Sequence, residues 1–311
     1  MTKKFSTLIL ALAAGLSFAQ AADYTQFYIF GDSLSDAGNT ANPEPFNAGG
    51  RFSNGKVWNE YLAEMLDMPV PTKSDNYKAG DTPAALATNF ARGGAMTHLG
   101  TATLNVPSVR QQIKSKINDK NLGFSRYGQD FAATDLVSLW AGANNLFFSG
   151  QTMIAHKFVE GGKRAAKEQA DSLALLIHQG AKNIIVFNLP DIGKTPCYAT
   201  MPEGAAAATA FSLTYNETLT AYLDVYEKEY PDVKMTRIDM KAIFEMLYTE
   251  PEKHGFSDYK TPLIKALTAD PKVDVGKYVF YDDVHPTTMT HKFIAEQVFL
   301  KIGNGEWGIG N

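Results

Sequence analysis

Short, continuous apolar runs alternate along the chain with longer amphipathic stretches. Phe27-Tyr28-Ile29-Phe30 is apolar throughout and stops at Gly31, the pattern of a strand buried on both faces. Leu136–Trp140, stopped by Gly142, and Asn183–Phe187 are further apolar runs, and residues 233–238 also read as a strand. Asn89-Phe90-Ala91 is a shorter strand candidate ahead of Gly93-Gly94. Helical periodicity fills the intervals at 57–66, 106–117, 154–178, 205–230 and 288–302. In the first of these, Val57, Tyr61, Leu62 and Met65 share a face; in the last, Met289, Phe293, Ile294, Val298 and Ile302 do. Gly161-Gly162 is a candidate break in the long helix, and Gly180 is a candidate C-cap. Residues 67–87, rich in Pro, Lys, Asp and Gly, predict a surface loop.

Buried strands interleaved with long helices predict a three-layer α/β/α domain around a parallel sheet. Repeats, linkers and composition breaks are absent. In such sheets ligands bind at the carboxyl ends of the strands, so candidate chemistry is sought just after each strand.

The first 21 residues stand apart from this pattern. Lys3-Lys4, an apolar run from Phe5 to Phe18, and Ala19-Gln20-Ala21 have the order of a secretory signal peptide, with cleavage expected after Ala21. The run is shorter than the roughly 20 residues needed to span a bilayer. The expected organisation is thus a leader over 1–21 and one domain over 22–311, secreted or periplasmic. The 290 residues after the leader are enough to bury a core without staples. Cys197 is the single cysteine, so no internal disulfide forms, and it is read as an inert thiol. Without Lys3 and Lys4 the formal net charge is about −6, and no Lys/Arg block occurs. Nucleic acid is therefore not an expected partner.

Four stretches follow strands and carry chemistry. Gly31-Asp32-Ser33-Leu34 would present a hydroxyl at the sheet edge beside backbone N–H groups; alone, Ser33 could equally be an N-cap. Asn89 to Ala95 contains Gly93-Gly94, where a glycine can bring its N–H close to a substrate. Gly142-Ala143-Asn144-Asn145 offers an amide donor for an oxyanion, or only a turn. Asp282-Asp283-Val284-His285, after a strand-like 277–280, offers a general base with a carboxylate three residues before it. A serine hydroxyl is a poor nucleophile unless a His takes its proton and a third group fixes the His tautomer.

Taken jointly, these blocks resemble the GDSL family, also called SGNH hydrolases. The match runs through Ser33 in Phe30-Gly-Asp-Ser-Leu-Ser-Asp, Gly93, Asn144, and Asp282 with His285. Arg51 to Trp58 and Asn188 to Gly193 also look like the family, so the likeness spans residues 24–303. The resemblance implies a flavodoxin-like SGNH hydrolase fold and a serine ester hydrolase without metal or organic cofactor. It implies Ser33 as nucleophile, His285 as base and Asp282 as its orienting partner, with Asp283 as a rival. It implies an oxyanion hole from Ser33, Gly93 and Asn144, with Gly94 the alternative to Gly93. The family often has Asp where this chain has Asn145, which puts the hydrogen bonding around that position in question. Secreted bacterial relatives with this pattern include lipases, phospholipases and acyltransferases, so a lipid ester is the favoured substrate and a peripheral membrane contact is compatible with it. Phe46, Phe52, Trp58, Phe147 and Phe148 are candidates for an apolar wall beside the serine. A carbohydrate or small-ester deacetylase or arylesterase is the alternative enzyme, and an inactive binding module the alternative of another class.

Overall fold

The structure, a computed structural model, describes residues 24–74, 87–98, 106–117, 130–149 and 155–304. The expected leader and the middle of the 67–87 loop lie outside them. Among the described residues four parallel strands form the sheet: β1 (Phe27–Gly31), β2 (Leu136–Trp140), β3 (Asn183–Phe187) and β4 (Lys234–Ile238), paired in that order. Gly31 stands opposite Trp140, and Leu139 opposite Val186, so the strand ends that carry the candidate blocks lie side by side.

Alternation along each strand sends neighbouring side chains to opposite faces. Tyr28, Phe30, Val137, Leu139, Ile184 and Val186 pack in one core, with residues of helices α2 (Val109–Ile117), α4 (Ala155–His178) and α5 (Pro202–Glu229). Phe27, Ile29, Leu136, Trp140, Ile185 and Phe187 pack in the other, with α1 (Trp58–Met65), α6 (Met240–Thr249) and α7 (Thr288–Asn304). The result is the expected three-layer α/β/α architecture with a central parallel sheet. On the second face Trp140 stacks on Phe187 at 4.6 Å between centroids, and both touch Trp58.

The segment expected as a strand at residues 89–91 does lie along the free side of β1. Ile29 N–H donates to Thr88 O at 2.8 Å and Phe90 N–H to Ile29 O at 2.8 Å, but only an isolated bridge at Asn89 results. Helix α2 starts at Val109 rather than 106 because Ser108 and Gln111 form a reciprocal capping box. Ser108 Oγ accepts from Gln111 N–H at 3.2 Å, and Gln111 Oε1 from Ser108 N–H at 2.8 Å. Helix α4 runs unbroken through Gly161-Gly162. A β-carbon on Gly162 would lie 2.6 Å from Phe211 O, so glycine lets α4 and α5 approach closely, which offsets its helix-propensity cost of about 1 kcal/mol. Gly180, at φ +99°, ends the helix as expected.

Two helices go beyond the expected elements, and one strand-like stretch is not a strand. Helix α3 (Ala143–Ser149) forms where Gly142 to Asn145 offers an amide donor or a turn. Helix α6 follows β4 directly, started by Asp239, whose side chain accepts from Ala242 N–H. The strand-like 277–280 is not a strand: Val275–Lys277 is a 3-10 turn, and Tyr278 and Phe280 make only isolated bridges, to Asp258 and Pro286.

Candidate active site

Strand β1 ends at Gly31, where a β-carbon would lie 2.4 Å from Trp140 O, so only glycine fits against β2. The chain then turns tightly. Asp32 Oδ1 accepts from Leu34 N–H at 3.0 Å, and Asp32 O accepts from Ser35 N–H at 3.1 Å. Residues 88–92 stay along β1 as far as Gly31, whose O accepts from Arg92 N–H at 3.1 Å, and the side chain of Gln112 completes the edge there. Its Oε1 accepts from Gly31 N–H at 3.0 Å and its Nε2 donates to Gly31 O at 2.9 Å. Sequence reasoning missed this clamp, because an amide on a helix face carries no signal of what lies opposite it.

Ser33 is carried by that turn. Its Oγ is 2.8 Å from His285 Nε2. His285 Nδ1 is 2.6 Å from Asp282 Oδ2, which assigns the proton to Nδ1 and leaves Nε2 free to accept from the serine hydroxyl. Asp282 Oδ1 accepts from Val284 N–H at 2.9 Å and from His285 N–H at 2.7 Å, the local turn that sets the spacing of three. Burial pushes the Asp282 carboxyl up, but the charge and hydrogen bond of His285 and the two N–H donors outweigh it and hold the group below its ordinary value. Asp283 points away, into an exposed ion pair with Lys265 at 2.6 Å. The structure thus joins Ser33, His285 and Asp282, and separates Asp283.

Asn144 lies in the first turn of α3 at the same edge. Its Nδ2 donates one hydrogen to Ala95 O at 3.1 Å, which fixes the amide plane and leaves the second hydrogen for the cavity it lines. Among the described residues the Ser33 N–H has no acceptor. Gly93 departs from expectation: its N–H donates to Asp36 Oδ2 at 2.9 Å. The carboxylate of Asp36 also gathers the N–H groups of Gly38, Asn39 and Thr40, so the Gly93 hydrogen is committed to a buried structural knot rather than to an oxyanion. Gly94 occupies the left-handed region at φ +82°.

The Arg51 to Trp58 stretch proves to be the support of the histidine loop. Phe52 packs on the His285 ring at 5.0 Å between centroids. Ser53 Oγ donates to Pro286 O at 3.1 Å, Asn54 Oδ1 accepts from Thr288 N–H at 2.9 Å, and Thr288 Oγ1 donates to Lys56 O at 2.9 Å. Arg51 in turn holds Glu60 through two bonds of 2.8 and 2.6 Å, and Glu60 accepts from Val57 N–H at the start of α1.

A cavity of about 230 Å³ opens beside Ser33, His285 and Asn144, walled by Trp140, Phe147, Ile192, Phe244, Phe280 and Val284 among others. Of the five aromatic wall candidates, Phe147 lines it, Phe52 serves His285, and Trp58 is core, with its indole N–H on Ser35 Oγ at 3.0 Å. Phe46 is exposed on its loop, and the Phe148 side chain lies outside the described residues. Cys197 is half-buried, and burial pushes its thiol up, in keeping with an inert role.

A Ser–His–Asp arrangement recurs on unrelated folds, so geometry alone does not assign a family. The model of the GDSL-like lipase/acylhydrolase family matches residues 27–298. The chain belongs to this family. It is accordingly a carboxylic ester hydrolase of the GDSL type, and an ester is its substrate. Among similar proteins, a thermolabile hemolysin of Vibrio parahaemolyticus is 28% identical over 88% of this chain, which spans 63% of the hemolysin's length. A phosphatidylcholine-sterol acyltransferase of Aeromonas hydrophila is 27% identical over 94% of this chain and 95% of its own. The secreted effector protein SseJ of Salmonella typhimurium is 24% identical over 88% of this chain and 62% of its own. A solved lipase/acylhydrolase from Enterococcus faecalis aligns over 92% of this chain and 99% of its own at TM-score 0.39 and 12% identity.

Proposed function

We propose that this GDSL hydrolase cleaves lipid esters, with Ser33, His285 and Asp282 as its catalytic residues. The carrying observation for the chemistry is the 2.8 Å contact between Ser33 Oγ and His285 Nε2. Ser33 Oγ attacks the ester carbonyl carbon as its proton passes to His285 Nε2, and Asp282 stabilises the imidazolium that forms. The tetrahedral oxyanion accepts from the Ser33 N–H and the second Nδ2 hydrogen of Asn144. Loss of one such donor costs about 3 kcal/mol of transition-state stabilisation. Collapse breaks the C–O bond, and the leaving alkoxide takes the proton from His285. Water then attacks the acyl-enzyme by the same route, releasing the acid and restoring Ser33.

The lipid reading rests on the cavity beside the serine. Its volume of about 230 Å³ and its aromatic and aliphatic walls exceed what an acetyl group fills, and an apolar wall of that extent gains about 0.8 kcal/mol per buried methylene of an acyl chain. The likeness to an acyltransferase named for phosphatidylcholine and a sterol is in keeping with it. The acyl-enzyme can pass its acyl group to an alcohol as well as to water. The test is a series of p-nitrophenyl esters together with phosphatidylcholine, run with and without cholesterol, with products identified by mass spectrometry. Preference for octanoyl or longer chains and release of fatty acid are expected. Preference for acetyl with no attack on phospholipid would replace the lipid reading by that of a small-ester or carbohydrate deacetylase.

The leader belongs to the same proposal. The basic, apolar and small-residue order of residues 1–21 supports export and removal after Ala21, leaving one domain over 22–311 in the periplasm or outside the cell. N-terminal sequencing of the exported protein is expected to begin at Ala22; a chain beginning at Met1 contradicts it.

A further inference from the structure

Asn145, beside the oxyanion donor, sits in a small polar network that the mechanism above does not use. Its Oδ1 accepts from Thr97 N–H at 3.1 Å, and its Nδ2 donates to Thr97 Oγ1 at 2.8 Å and to Glu168 Oε2 at 3.3 Å. Thr97 Oγ1 donates its own hydrogen to the same Glu168 oxygen at 2.5 Å. One carboxylate oxygen on α4 thus collects two donors, one from the segment after Gly93-Gly94 and one from the first turn of α3. Two residues earlier in that segment, Ala95 O accepts from Asn144 Nδ2. Residues 95–97 are therefore pinned at both ends to the same helical turn, and the pins fix the plane in which the Asn144 amide lies.

We infer that Glu168, through Thr97 and Asn145, is a positioning device for the Asn144 amide, and that it requires an amide rather than a carboxylate at position 145. Charge complementarity carries the inference. Glu168 Oε2 needs donors, Asn145 supplies one, and Asp in its place would set a second carboxylate at the same distance with no hydrogen to offer. Two carboxylates that close cannot both ionise without strong repulsion, and α3 would move away from Ala95 and Thr97 to relieve it. The inference rests on the acyl-transfer reading of Ser33 and Asn144, and gives positions 145, 97 and 168 a role within it.

The test compares Asn145→Asp, Glu168→Gln and the double variant Asn145→Asp/Glu168→Gln in the full exported chain. Hydrolysis of a soluble p-nitrophenyl ester, fluorophosphonate labelling and thermal unfolding are measured for each. Misplacing a group by about 1 Å can cost about 100-fold, so Asn145→Asp is expected to lower kcat between about tenfold and 100-fold with KM changed less than about twofold. The double variant, which exchanges amide and carboxylate, is expected to regain most of that loss. Thr97→Val, which keeps the side-chain shape and removes the shared hydroxyl, is expected to lower kcat about threefold to tenfold, and it serves if Asn145→Asp does not fold. A double variant no better than Asn145→Asp, or losses that follow thermal stability and appear in KM, would overturn the positioning role. An unlabelled, inactive wild type would instead overturn the acyl-transfer reading beneath it.

Discussion

The ring of Phe52 lies directly over Gly93: a β-carbon on the glycine would sit 2.2 Å from the ring. The same ring packs on His285 at 5.0 Å between centroids. With its N–H committed to Asp36, Gly93 acts through the space it leaves. Gly93→Ala is expected to push Phe52 against His285 and lower kcat by roughly tenfold or more. Phe52→Ala removes the clash, so kcat of Gly93→Ala/Phe52→Ala is expected to match that of Phe52→Ala alone, a non-additive cycle. Additive losses measured by steady-state kinetics contradict this account of the glycine.

The two adjacent carboxylates of the histidine loop are expected to behave very differently. Asp282 faces the imidazole at 2.6 Å, whereas Asp283 faces Lys265 at the surface. Asp282→Asn leaves the ring without its tautomer-fixing acceptor and is expected to lower kcat by about 10,000-fold. Asp283→Asn breaks an exposed pair of about 0–1 kcal/mol and is expected to leave kcat within about twofold. Equal losses in the two variants would contradict the assignment.

Much of this was legible in the sequence. Apolar runs marked β1 and β2, each stopped by a glycine, and β3, and the joint match of four blocks marked Ser33, Asn144, Asp282 and His285. What was not legible depends on partners distant in sequence. Gln112 reaches Gly31 across 81 positions, and Asn54 reaches Thr288 across 234, and neither residue type announces such a role. Helix α3 is not marked in the sequence, where Gly142 and two Asn residues have turn chemistry. There the network with Thr97 and Glu168 and the burial of Leu146 outweigh that local preference. The resemblance implies Gly93 as an oxyanion donor, yet the nearby Asp36 carboxylate takes its hydrogen.

Acid stability is expected to depend on His291. The ring is fully buried, and neither nitrogen has a partner among the described residues. Burial, with a lesser push from His285, lowers its pKa from 6.5 to about 3. Between these values the unfolded chain binds a proton that the folded chain refuses, so the folded state is fully favoured above about pH 6.5 and loses ground as pH falls toward 3. At pH 4.5 the loss amounts to roughly 2–3 kcal/mol. His291→Leu is expected to remove that part of the acid slope in urea unfolding between pH 7 and 4.5. An unchanged slope contradicts it.

Asp32 is expected to act with the opposite sign. Burial pushes its carboxyl up from 3.8 to about 7, against the Leu34 N–H. From about pH 4 to 7 the unfolded chain releases the proton while the folded chain keeps it, so this group weakens the fold as pH rises through that window. Asp32→Asn keeps an oxygen for Leu34 N–H and removes the titration. Its stability relative to wild type is expected to rise between pH 4 and 8 in thermal unfolding; a constant difference contradicts the shift.

The nucleophilicity proposed for the Ser33 hydroxyl comes from His285, 2.8 Å away. Its most direct measurement is the intact mass of the protein after exposure to a fluorophosphonate, followed by peptide mapping of the adduct. One adduct per chain on the Ser33 peptide is expected, absent from Ser33→Ala and strongly slowed in His285→Ala. An unmodified wild type, or an adduct that persists in Ser33→Ala, would contradict the account.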